Sequence, residues 1–73
     1  MPSYVLLRAF EAAARLESFT RASEALHLSQ PTISTQIKKL SETLDSTLFE
    51  QIGKKIYLTP AGQSLYSSCT EIF

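Results

Sequence analysis

Apolar residues along the chain fall into spaced groups, and the spacing changes twice. Leu6, Phe10 and Ala13 recur at i, i+4 and i+7 within Tyr4 to Leu16, which predicts a first helix resting one stripe on a core. Glu17-Ser18-Phe19 breaks that pattern. Thr20 then suits the cap of a short second helix ending near His27, with Ala22, Ala25 and Leu26 on its inner face and Glu24 favourable to its dipole. Ile33, Ile37, Leu40 and Leu44 form a single seam, at i, i+4, i+7 and i+11, of a third helix. Ser29 or Gln30 caps it, and Pro31 fits its first turn, where an amide hydrogen would have no partner. Asp45-Ser46 stops it, since an aspartate tolerates the left-handed conformation that ends helices.

Two β-prone runs follow, Leu48 to Ile52 and Ile56 to Leu58, on either side of Gly53-Lys54-Lys55. A glycine followed by a polar residue predicts a tight hairpin. Thr59-Pro60 repeats the cap-then-proline start and opens a fourth helix, with Leu65, Tyr66, Cys69, Ile72 and Phe73 along one side. That stripe has nothing after it in sequence to cover it. It either folds back on the first helix or pairs with a second copy, and the chain is expected to be a piece of a longer protein, cut within this helix.

The predicted fold class is therefore mainly α: a three-helix core with a two-stranded wing, followed by a further helix. The second and third helices meet at a tight corner, the helix-turn-helix arrangement whose second helix lies in the DNA major groove. At about 100° per residue, the face of the third helix opposite its seam carries Pro31, Thr35 and Lys38, flanked by Thr32, Ser34 and Lys39. Short hydrogen-bonding side chains come first and cations later, an order that suits base edges and then phosphates. Gln30 offers a donor and an acceptor for an adenine edge, and Thr32 and Thr35 offer methyl and hydroxyl contacts. Thr20 and Arg21 stand at the start of the second helix, where a phosphate would meet side chains and free backbone N–H groups; the alternative is a simple cap and a solvated charge. Likewise the lysines at the hairpin tip reach the DNA backbone or minor groove, or only solubilise a loop.

Seven cations and seven anions give 73 residues a formal net charge of zero, which is unusual for a nucleic-acid binder. Position matters more than the sum. Lys38, Lys39, Lys54 and Lys55 belong to the elements expected to face DNA, while Glu11, Glu17, Glu24 and Glu71 are expected elsewhere. A chain this short buries only roughly 60–65% of its unfolded surface, so help from a dimer partner is expected. One cysteine permits no internal disulfide, and no run of about 18 apolar residues or signal peptide is present. Catalysis has little to work with. His27 reads as turn packing or a dipole partner, Cys69 as a small buried hydrophobe, and two glycines cannot build a phosphate-cradling loop. No cofactor is expected. A winged-helix module that binds protein through its fourth-helix stripe is the remaining rival.

The segments FTRASEALHLSQPTISTQIKKL, L-F-E at Leu48 to Glu50 and L-T-P-A-G at Leu58 to Gly62, in this order, resemble the N-terminal domain of LysR-type bacterial transcriptional regulators over essentially the whole chain. The run LFEQIGKKIYLT is similar to the branch that regulates Rubisco and carbon-fixation operons. The resemblance implies a winged helix-turn-helix over residues 1–58 and the start of a linker and dimerisation helix over 59–73, with Leu65, Tyr66, Cys69, Ile72 and Phe73 at the dimer contact. It implies a homodimer on an inverted-repeat operator, a tetrameric full-length cytoplasmic protein and a following effector-binding domain that this chain lacks. Gln30, Pro31, Thr32, Ser34 and Thr35 match the reading turns of the recognition helix, and Gln51 and Lys54 match wing positions. The family often has arginine where Thr35 and Gln51 stand, glutamate at Ser41 and glycine at Asp45. Thr35 is then left for a thymine methyl or a phosphate, and Lys54 or Lys55 for the wing contacts.

Overall fold

The computed structural model describes residues 4–71. Their order is α1 (Tyr4–Leu16), α2 (Phe19–Leu26), α3 (Gln30–Leu44), β1 (Phe49–Ile52), β2 (Lys55–Leu58) and α4 (Pro60–Thr70). The predicted winged helix-turn-helix is thus the observed one: three helices, a two-stranded antiparallel wing, then a fourth helix.

Two apolar clusters hold it together. Ala9, Ala12 and Ala13 of α1 meet Ala22 of α2 and Ile33 and Ile37 of α3, and small side chains at the crossing let three helix backbones approach closely. Phe10, Leu40, Leu48 and Cys69 form the second cluster, covered by Leu6, Leu7, Leu58, Leu65 and Tyr66. Phe49, the first residue of β1, packs against both. Its ring lies 5.3 Å from that of Phe10, tilted, and 5.4 Å edge-on from that of Phe19. One aromatic therefore ties the wing to the helices.

Helix ends follow side-chain chemistry. Ser29 Oγ accepts from the Thr32 N–H at 3.2 Å, deciding between the two candidate caps of α3. Thr59 Oγ1 accepts from the Gly62 N–H at 3.0 Å. At α2 the expectation was two residues late: Ser18, not Thr20, is the cap, with its Oγ accepting from the Arg21 N–H at 3.0 Å. Ser18 has the extended backbone a cap needs, and Phe19 enters the helix because its ring is wanted against Phe49. Three residues close α1, α2 and α3 in the left-handed region: Glu17, His27 and Asp45, at φ 55°, 57° and 52°.

Three further expectations are corrected. Leu44 lies outside the α3 seam, at 37% exposure, and Leu48 (1% exposed) fills the cluster instead. Ala25 is exposed, whereas Ser23 is buried, with its Oγ donating to the Thr20 carbonyl at 2.7 Å. The hairpin turn is two residues, Gly53-Lys54, because Lys55 already pairs with Ile52. Gly53 has φ +64° and Lys54 does not, as a type II′ turn requires.

The fourth helix folds back on α1. Cys69 is 1% exposed, and Leu65 and Tyr66 are half-buried against the same cluster. Cys69 therefore moves from the expected dimer contact into the protomer core, where α1 covers it. Ile72 and Phe73, expected at that contact, lie outside the described residues. Gly62 permits the approach of α4 to the chain before β1, since a Cβ there would strike the Leu48 carbonyl oxygen.

Candidate nucleic-acid interface

The side of α3 away from the core stands open. Gln30, Pro31, Ser34, Thr35, Lys38 and Lys39 are exposed, while Ile33, Ile37 and Leu40 on the seam are 0–5% exposed. Thr32 differs from its neighbours. It is half-buried, and its hydroxyl lies 2.8 Å from Ser29 Oγ, drawn back into the cap.

Three adjoining grooves border the wing, two of them reaching this helix. One of about 260 Å³ brings Thr20, Gln30, Ser34, Gln51 and Lys54 together. A second, about 210 Å³, adds Lys38 beside Ser34 and Gln51. The third, about 440 Å³, joins Thr20 and Arg21 at the start of α2 to Lys55 and Tyr57 of β2. Thr20, Ser34 and Gln51 each line two of them, and Ile56 lines all three. Residues far apart in sequence thus share one surface, while Pro31, Thr35 and Lys39 stand on the exposed face of α3 outside the grooves.

What marks this surface is unspent hydrogen-bonding capacity. Among the described residues, the side chains of Arg21, Ser34, Thr35, Lys38, Lys39, Gln51, Lys54 and Lys55 have no hydrogen-bond or ion-pair partner, and the one salt bridge, Arg15 to Glu11 at 3.0 Å, lies along α1. Thr20 and Gln30 are the exception. Thr20 Oγ1 donates to Gln30 Oε1 at 3.2 Å, linking the first turns of α2 and α3. Sequence spacing carried no signal for that pair, ten residues apart.

Glu17 corrects the expected charge map. Expected away from the DNA-facing side, it lines the grooves containing Thr20, Gln30, Arg21, Lys54 and Lys55. Its left-handed backbone at the end of α1 turns the chain straight into α2, which leaves the carboxylate at the corner. It is the single acidic side chain among the residues lining the three grooves, against Arg21, Lys38, Lys54 and Lys55. The surface is locally basic on a neutral chain.

The candidates for chemistry of another kind lie elsewhere. His27 is exposed in the left-handed turn after α2. Burial, and secondarily the nearby Glu11 charge, push the Cys69 thiol above its ordinary range, the reverse of an activated nucleophile. Among the described residues no three His, Cys, Asp or Glu side chains are grouped to hold a metal, and no helix is long and apolar enough to cross a membrane.

Comparison with known proteins settles the family. The family of bacterial regulatory helix-turn-helix proteins of the lysR type matches residues 5–63. The chain belongs to this LysR family. It is 53% identical over 66 residues, 90% of the chain, to a RuBisCO operon transcriptional regulator of Acidithiobacillus ferrooxidans, of which it covers 21%. It is 51% identical over 63 residues, 86% of the chain, to the HTH-type transcriptional activator CmpR of a Synechocystis strain, again covering 21%. The LysR chain thus spans about a fifth of the length of these curated relatives. Among solved structures, the DNA-binding domain of BenM in complex with its catB site 1 DNA is similar at a TM-score of 0.91 and 33% identity, over 96% of this chain and 79% of that one. These relatives are named as regulators of transcription, not as enzymes.

Proposed function

We propose that this LysR-family chain is a sequence-specific, double-stranded DNA-binding domain of a bacterial transcriptional regulator. Its recognition helix, α3, enters the major groove, and the wing spanning residues 48–58 rests on the backbone and minor groove. One observation carries the reading: the exposed face of α3 and the wing converge on one surface whose cations, with Ser34, Thr35 and Gln51, have no side-chain partner among the described residues. Unpaired polar groups on a rigid scaffold are what base edges and phosphates require. The likeness to a LysR-type domain bound to DNA supports the same reading.

Gln30, Pro31, Thr32 and Thr35 are assigned to bases. Of these, Thr32 contributes through its methyl group, since its hydroxyl is held by Ser29. Thr20, Arg21, Ser34, Lys38, Lys39, Gln51, Lys54 and Lys55 are assigned to phosphates and the wing contact. The chain acts as a homodimer through α4 on an inverted repeat, with half-sites about one helical turn apart or a multiple of it. With Cys69 buried, Leu65 and Tyr66 are the α4 residues left for that contact. The full-length regulator, built as a tetramer, works in the cytoplasm, and its similarity to RuBisCO operon regulators favours a carbon-fixation operon as target.

The test is a pair of variants, Gln30→Ala and Thr35→Ala, titrated against a duplex selected by the chain from a random pool. Each is expected to lose about 1–3 kcal/mol of discrimination with unchanged helicity. Unchanged discrimination in both contradicts the base assignment. If all four lysines neutralise phosphates, the logarithm of affinity falls with that of salt at a slope of about −3.6 per subunit, from roughly −0.9 per contact. A slope near zero excludes lysine anchoring.

A further inference from the structure

We infer that Thr20 is a positioning residue for Gln30: through its hydroxyl, α2 fixes the side chain with which α3 reads a base. The inference rests on the DNA-binding reading above and adds a specificity role to a residue otherwise assigned to phosphate. Its basis is geometric. Thr20 Oγ1 and Gln30 Oε1 lie 3.2 Å apart across the helix corner, both residues are exposed, and both line the groove that leads to Gln51 and Lys54.

A glutamine at the first turn of a helix has three rotatable side-chain bonds and no packing to hold them. Fixing such a side chain only on contact with DNA costs conformational entropy at that moment. Here one hydrogen bond does the fixing in advance. The anchor is itself held, because the Thr20 carbonyl accepts from buried Ser23 Oγ at 2.7 Å and α2 is locked by the Ser18 cap. The link forms with either amide orientation, since a hydroxyl can donate or accept. In the orientation seen, the carbonyl faces Thr20 and the amide N–H groups remain unspent. With the carbonyl held by Thr20, Gln30 meets a base as a donor toward acceptor atoms such as purine N7, guanine O6 or thymine O4.

A phosphate-contacting Thr20 and a positioning Thr20 make different predictions. Thr20→Val keeps the shape and removes the hydroxyl; Thr20→Ser keeps the hydroxyl. Binding is measured to a duplex selected from a random pool and to a scrambled duplex, for both variants, for Gln30→Ala and for Thr20→Val combined with Gln30→Ala, with helicity checked by circular dichroism. Thr20→Val is expected to weaken the selected duplex roughly five- to tenfold more than the scrambled duplex. Thr20→Ser restores binding, and in the Gln30→Ala background Thr20→Val weakens the two duplexes equally, with no further loss of preference. Equal losses on both duplexes with Gln30 present, or a loss of preference persisting without it, overturn the inference and leave Thr20 a phosphate contact. If wild type fails to distinguish the two duplexes, the DNA-reading assignment itself falls.

Discussion

The end of the molecule where α1 meets α4 and the corner where α2, α3 and the wing converge are built on opposite terms. At the first, Phe10, Leu40, Leu48 and Cys69 are 0–1% exposed and Thr59 spends its hydroxyl twice, capping α4 and donating to the Thr47 carbonyl. At the second, the cations and the side chains of Ser34, Thr35 and Gln51 stand exposed with no partner among the described residues. The difference teaches that stability and recognition sit on separate residues of the same elements. α3 shows it most clearly, with its seam in the core and its opposite face in solvent.

That separation is open to attack, most forcefully at the packed end. Leu40→Ala is expected to cost about 2–5 kcal/mol, and Gly62→Ala a comparable amount because the Leu48 carbonyl cannot retreat from a new methyl without moving the wing. Thermal melting reads both. Either variant melting like wild type breaks the comparison. At the open end, Lys54→Ala should leave the melting temperature within error and make the salt slope shallower by roughly 0.9 per subunit. A large fall in stability there would show the wing lysine to be structural.

Smaller effects sharpen the boundary between the two regions. Ser29→Ala removes a cap at the start of the recognition helix and is expected to cost about 1 kcal/mol. Because the first turn of α3 also carries Gln30, this variant alone should lower stability and operator affinity together. Glu17→Gln removes the one carboxylate lining the grooves and should tighten DNA binding about twofold at low salt, an advantage that fades as salt screens it. Tightening that survives at high salt would point to a direct contact instead.

Cys69 offers a check from the packed side. A raised thiol pKa in the folded state means the protonated form is favoured there. Its stabilising effect is therefore complete below the unfolded thiol's pKa and is lost as pH rises through the folded value. Labelling by a thiol reagent should be slow in the folded chain and rapid in denaturant. Fast labelling under native conditions would mean that α4 does not stay docked on α1.

Much of this was legible in the sequence because local chemistry and global packing agree. Periodicity located α1 and α3, a capping residue with proline in the first turn located the starts of α3 and α4, and glycine located the wing turn. The failures have a common cause, which is that tertiary contacts override local preference. Phe19 was drawn into α2 by Phe49, which shifted the cap to Ser18. Leu44 continued the seam in register but ran past the end of the core, so Leu48 took its place. At the site, polar residues on one helical face were readable from the 3.6-residue period. The Thr20 to Gln30 bond and the intrusion of Glu17 were not, because both depend on the angle at which α1, α2 and α3 meet.

The measurement closest to the central claim is selection of duplexes from a random pool by the wild-type chain. The account predicts an enriched half-site with dyad symmetry, lost on combining Gln30→Ala with Thr35→Ala while the melting temperature holds. A pool that emerges without any enriched motif, or the same motif selected by the double variant, would contradict it.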